Sequence, residues 1–344
     1  MTKMTGRERV LAALKGQPVD QMPVISVCQH ATYDQMDRLG VAWPEAHFQA
    51  KEMASLAAGG YTVLGLDAVR APYCQTHEAE AFGAVIKYAG REGVPSISVH
   101  PCQLEDEPKL PEDFLNKPRI KQLVNSISLL KEKVGDRVAV IGGIVGPFTI
   151  AANLLGVTEM LKVCFKKPGK VIPFLEVGER AGTMLAQAMV EAGADIICVE
   201  DMMTSLDMVS PKIYRELAAP YEKKQFSQIS VPTIIHICGK LDAIMVDIAQ
   251  TGASAISIEP VVDVKGAAAK LREAGLQVAL IGGIDPVRTL FSGTPEAVAA
   301  EVDKAIEDGF DLISPGCGVA PASPTENLLA MVKRAQEHTK TFCV

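Results

Sequence analysis

Eight short runs rich in β-branched residues alternate with longer stretches of helical period in a chain of 344 residues. That pattern predicts an α/β fold, a (βα)8 TIM barrel around a parallel sheet. The runs are MPVISV from Met22, TVLGLD from Thr62, VAVIGGI from Val138, DIICVE from Asp195, TIIHIC from Thr233, AISIE from Ala255, VALIGGI from Val278 and DLISP from Asp311. Between them, 173–192 and 295–308 carry apolar residues three and four apart and read as helices. VAVIGGI and VALIGGI would be the third and seventh strands, four units apart, as two half-barrels would place them.

The stretch 73–116 is too long for an ordinary βα connection. AVIKYAG and PSISVH within it read as a small hairpin, followed by the Pro- and acid-rich stretch 105–113. The segment reads as an insertion near the barrel mouth of a single domain spanning 1–344, with a decorative surface loop as the alternative.

Composition narrows the function. Apolar residues make up 48% and charged residues 22%, a folding composition. With 34 Lys and Arg against 41 Asp and Glu the net charge is −7, no basic run stands out, and 5% aromatic residues leave little for base stacking. Nucleic acid is set aside on that footprint. The uncharged stretch 138–158 is interrupted by Gly142, Gly143, Gly146, Pro147 and Asn153, so it reads as strand, turn and helix, not a membrane span. No secretory signal pattern opens the chain, and eight scattered cysteines suit a reducing compartment, so a cytoplasmic protein without disulfides is expected.

In such a barrel the carboxyl ends of the strands carry the chemistry. His236 and Cys238 lie two apart at the end of the fifth run, so imidazole and thiol point to one side. The eighth run leads into Pro315-Gly316-Cys317-Gly318, which brings a second thiol to the same face. His, Cys and Cys form a zinc ligand set with one position open for substrate, and Glu259, ending the sixth run, is a candidate weak fourth ligand and catalytic carboxylate. The competing reading makes both thiols small core hydrophobes and His236 a buried core histidine. Cys28, Cys74, Cys102, Cys164, Cys198 and Cys343 lack a histidine at metal spacing and read as core or surface thiols.

Glu200 and Asp201 end the fourth run, and Asp67 with Arg70 ends the second. Asp201 is a candidate catalytic carboxylate, and Arg70 and Asp67 are candidate cofactor contacts; each is equally readable as a rim salt bridge. Gly282-Gly283 with Gly316 and Gly318 offer a phosphate-binding alternative, against which Cys317 in the second loop argues. There is no Walker motif and no GxGxxG.

RERVLAALKGQPVDQMPV resembles the opening of the uroporphyrinogen decarboxylase superfamily, and HICGK with PGCG resembles its methylcobamide:coenzyme M methyltransferase branch. WPEAH at Trp43, AVRAPYC at Ala68, AMVEAGAD at Ala188 and PGCGVAPASPTENL at Pro315 extend the resemblance over nearly the whole chain. It implies zinc held by His236, Cys238 and Cys317, with a reversible carboxylate ligand placed at Glu259. It also implies transfer of a methyl group from a methyl-Co(III) corrinoid to a zinc-activated thiol, with coenzyme M as the suggested acceptor.

The chain lacks an Asp-x-His-x-x-Gly motif of the cobalamin-carrying type, so a separate methylated corrinoid protein is the implied partner. A substrate-side methyltransferase, which loads methyl groups onto cobalt, shares fold and partner and stays open. The decarboxylase branch matches less well: it uses an arginine-rich segment where this chain has VCQHATYDQMDRLG with the lone Arg38. A departure from the family is Gly282-Gly283 where Gly-Asn is usual.

Overall fold

A computed structural model describes residues 3–338; Cys343 lies outside the described residues. In chain order the strands are β1 (Ala68–Ala71), an antiparallel pair β2 (Val85–Lys87) and β3 (Ser96–Val99), then β4 (Ala139–Val145), β5 (Ile196–Glu200), β6 (Thr233–His236), β7 (Ala255–Ile258), β8 (Ala279–Ile284) and β9 (Leu312–Pro315). Seven of them form one parallel sheet in the order β1-β4-β5-β6-β7-β8-β9. Helices cross between neighbouring strands, among them Ile172–Glu191 and Pro295–Asp308 where apolar spacing places them.

Two of the eight expected strands differ. The run from Met22 forms only an isolated parallel bridge, Val24 to Ile313. It is nevertheless bonded to both edges of the sheet: Ile25 N–H donates to Ile313 O at 2.9 Å, and Asp67 N–H donates to Val24 O at 2.8 Å. Pro23, lacking an N–H, can only accept, from Ile313 N at 2.9 Å. The run from Thr62 is not a strand. Its first residue ends the helix Ala50–Thr62, a turn at Gly65 (φ +79°) follows, and β1 begins at Ala68. Asp67 therefore stands at the amino end of its strand.

Side-chain alternation divides the core in two. On one face Ala68, Ile141, Ile196, Ile234, Ile281 and Leu312 pack together against Val10 and Leu14 of the amino-terminal region, while Val69, Val140, Val199, Ile235 and Ile256 meet the surrounding helices on the other. The helix Gly6–Ala13 starts with a capping box, Glu8 N–H donating to Thr5 Oγ1 at 3.2 Å and Thr5 N–H donating to Glu8 Oε2 at 2.8 Å. It lies against the amino ends of the strands and leaves their carboxyl ends free to carry a site.

No single helix among the described residues is long and apolar enough to cross a membrane. The uncharged stretch 138–158 supplies β4 and the buried helix Pro147–Leu155.

Candidate functional site

The inward parity that buries Ile234 continues along β6 to His236 and, past the strand end, to Cys238. His236 is fully buried. Its Nδ1 lies 3.0 Å from Ser257 Oγ, the inward residue of β7, and its Nε2 lies 3.2 Å from Cys238 Sγ. Gly239 (φ +78°) takes the left-handed conformation that turns the chain immediately after Cys238. The loop after β9 brings Cys317 Sγ to 3.4 Å from Cys238 Sγ, across 79 residues of sequence.

Two donor groups share Cys317. Cys28, His236 and Cys317 form one, and Cys238, Glu259 and Cys317 the other, each with its ligand atoms within 4.8 Å of one another. Hydrogen bonds from Cys238 and Cys28 hold the Cys317 thiol far below its usual range despite burial, with His236 adding to the effect. The same contacts, with burial, push the Cys238 and Cys28 thiols up. Burial works against a charge on His236, but the hydrogen bond and charge of Cys317, with Glu200 and Glu259, raise its pKa overall. Burial and the charge of Cys317 raise the half-buried Glu259. Soft sulfur, nitrogen and carboxylate donors thus converge around Cys317. Such a donor set fits zinc.

These groups lie beside a cavity of about 530 Å³, whose lining includes Cys28, Arg70, Glu200, His236, Cys238 and Cys317. Tyr73, Val94, Pro95 and Ile97 add apolar wall, the last three from the β2–β3 region. Cys74 also lines it, with Arg119 Nη2 donating to its sulfur at 3.1 Å.

Three other residues singled out from sequence are engaged by partners of their own. Asp67, at the amino end of β1, accepts from Arg9 Nη1 at 2.5 Å and from Val24 N at 3.0 Å, on the side of the sheet away from the cavity. The misplaced second strand put it at the wrong end. Asp201 is fully buried and caps the helix Pro147–Leu155, accepting from Phe148 N at 3.2 Å, Thr149 N at 2.7 Å and Thr149 Oγ1 at 2.6 Å. Its carboxylate is committed to the helix start and does not line the cavity. Arg70 lines the cavity as expected, with its guanidinium Nη1 paired with Glu200 at 2.5 Å. Gly282 and Gly283 sit inside β8 against Phe310 and line no part of this cavity, so they offer no phosphate cradle there.

Cys28 joins His236 and Cys317 in one of these groups, a placement that sequence reasoning missed. Its contact with Cys317 depends on the pairing of the first and last strand segments, which no local spacing reports.

Residues 5–338 match the uroporphyrinogen decarboxylase (URO-D) family. The methylcobamide:CoM methyltransferase MtaA of Methanosarcina barkeri is 38% identical over 339 residues, covering 98% of this chain and 99% of that protein. The methylcobamide:CoM methyltransferase MtbA of Methanosarcina acetivorans is 37% identical over 342 residues, with 98% and 99% covered. A methyltransferase structure from Methanosarcina mazei superposes with a TM-score of 0.92 at 37% identity, covering 97% of this chain and 99% of that one. Fold and sequence together thus define a methyltransferase. The chain belongs to the URO-D family, within its methylcobamide:coenzyme M methyltransferase branch.

Proposed function

We propose that this protein transfers a methyl group from a methylated corrinoid, presented by a separate corrinoid protein, to the thiol of coenzyme M, using zinc held by His236, Cys238 and Cys317. The observation that carries the reading is the convergence of these three donors beside the cavity, Cys238 and Cys317 at 3.4 Å and His236 Nε2 at 3.2 Å from Cys238. When bound, zinc supplies a Lewis-acid centre that keeps a coordinated thiol deprotonated at neutral pH, where a free thiol is mostly protonated.

The chain's own residues do the rest. Ser257 fixes the His236 ring so that Nε2 faces the sulfurs, the outer-shell support that metal-ligating histidines need. Glu259 is suited to act as a displaceable carboxylate ligand, since it sits with Cys238 and Cys317 and is only half-buried. Tyr73, Val94 and Ile97 give the cavity an apolar wall beside the donors. Gathering substrate thiol and methyl donor in one enclosure contributes positioning, and the cobalt chemistry belongs to the corrinoid substrate.

The accompanying reading of the fold is a single closed (βα)8 barrel, with the 23–25 segment as its first strand and 73–116 as an insertion at its mouth. Val85, Val94 and Val99 are exposed apolar residues of that segment, and Val94 also lines the cavity, which supports docking of the corrinoid protein there.

The direct test is Cys317→Ala. Loss of bound zinc together with loss of methylated coenzyme M is the expected result; full zinc content with wild-type turnover would overturn the site assignment.

A further inference from the structure

We infer that His100, with the side-chain amide of Asn153, holds the anionic head of the thiol substrate, so that the cavity fixes the acceptor at both ends. This rests on the zinc–thiol reading above and adds the residue that selects among thiols. The observation behind it is an imidazole on the cavity wall with one nitrogen committed and the other free. His100 Nδ1 donates to Asn153 O at 2.8 Å, and because a carbonyl only accepts, that nitrogen carries the hydrogen. Nε2 has no partner among the described residues, and His100 and Asn153 both line the cavity.

The local fold sets the ring there. His100 follows β3, and Cys102 N–H donates to Leu154 O at 3.2 Å, so the chain leaving the hairpin satisfies two of the last carbonyls of the helix Pro147–Leu155. The helix stops at Gly156 (φ +89°), where an added Cβ would stand 3.1 Å from His100 Cδ2 and 3.3 Å from its Nε2. Any side chain at 156 would crowd the imidazole. The Asn153 amide is bound loosely, donating to Gln75 O at 3.4 Å, which leaves its second N–H for a ligand.

The charges in the cavity call for a cation at that end. Zinc with the thiolates of Cys238 and Cys317 and a neutral His236 carries no net charge, so a bound substrate thiolate makes the centre negative and an anionic head adds a second negative charge. Of the basic residues lining the cavity, Arg70 is balanced by Glu200 and His236 belongs to the donor set, which leaves His100. With a proton on Nε2 as well, its ring donates to the head while Nδ1 stays on Asn153 O, and the Asn153 amide supplies another donor. A thiol with an uncharged head gains little from this pair.

The test is calorimetric binding of two thiols that differ only at the head, coenzyme M and 2-mercaptoethanol, to the whole zinc-loaded protein. The wild type is expected to bind coenzyme M about tenfold or more tightly than 2-mercaptoethanol. His100→Ala is expected to weaken coenzyme M about tenfold and to leave 2-mercaptoethanol and the zinc content unchanged. Asn153→Ala keeps the backbone carbonyl that holds the ring, and is expected to weaken coenzyme M about threefold with the same selectivity. In turnover the losses fall on KM for coenzyme M and spare kcat.

A wild type without preference, or a His100→Ala variant that binds coenzyme M as before or loses both thiols equally, would overturn the proposal while leaving the zinc site intact. Metal-stripped wild-type protein that binds both thiols as tightly as the zinc-loaded protein would overturn the zinc–thiol reading, and the His100→Ala selectivity would still decide the head-group site. The wild-type comparison needs no mutation, so poor folding of a variant does not block the decision.

Discussion

Arg70 Nη1 lies 2.5 Å from Glu200 Oε1, although β4 stands between their strands. The contact is made across Gly143 of β4, where an added Cβ would collide with the Arg70 guanidinium. Both charges are almost fully buried, and Gln75 donates to the other Glu200 oxygen. Burial raises the Glu200 pKa and Arg70 pulls it back.

Removing one partner of such a pair leaves an uncompensated buried charge. Glu200→Ala is therefore expected to lose about 3–5 kcal/mol of stability in urea unfolding. Gly143→Ala should destabilise by the same route, because Arg70 must give way. Wild-type stability in both would show that the pair is not held across Gly143.

Asp67 is paired with Arg9 at the amino ends of the strands, on the side away from the cavity. Asp67→Ala is expected to cost a similar 3–5 kcal/mol and lower the thermal midpoint, while the folded fraction keeps its zinc and its turnover. A stable variant with impaired corrinoid binding would restore Asp67 as a cofactor contact.

Asp201 caps a helix and shares a buried network with Glu222, to which Tyr214 OH donates at 2.6 Å. Burial raises Asp201 from 3.8 to about 6 and Glu222 further still. The folded state thus binds more protons than the unfolded one from about pH 4 upward, through the range in which the buried pair titrates. The stability tied to the protonated pair is present below about pH 4 and is lost as pH rises through the raised pKa values of the two carboxyls, the first of them near 6. Asp201→Asn should flatten that slope in unfolding measured at several pH values, with turnover unchanged. A large loss of turnover at full stability would make Asp201 catalytic after all.

Ser257 holds His236 Nδ1 at 3.0 Å. Ser257→Ala is expected to lower zinc affinity by about 10–100-fold without unfolding the protein, because the ring loses its orienting partner. Unchanged affinity in competition with a chelator would show that the ring needs no such support.

The contrast between these residues shows what the sequence could reveal. His236 and Cys238 were readable because strand geometry turns a spacing of two into a shared side, and Cys317 because a thiol between glycines follows a strand. Asp67 was misplaced because Thr62, Val63 and Leu64 have strand-like composition, yet Thr62 ends a helix packed at Gly59 and Gly60 against Leu39 and His30 and the next two residues form the turn after it. Asp201 looked like a rim carboxylate because its partners, Phe148 and Thr149, are more than fifty residues away and start another helix. Cys28 was hidden for the same reason: its partner comes from the far end of the chain, and the strand that carries it is reduced to one bridge. Local periodicity reports which side a residue takes; contacts between distant segments decide what it meets there.

The measurement that bears most directly on the account is the visible spectrum of methylcobalamin mixed anaerobically with the zinc-loaded protein, with and without coenzyme M. Conversion to cob(I)alamin is expected only when the thiol is present, and none with the Cys317→Ala variant. Conversion that ignores coenzyme M, or its absence with a fully zinc-loaded wild-type protein, would contradict it.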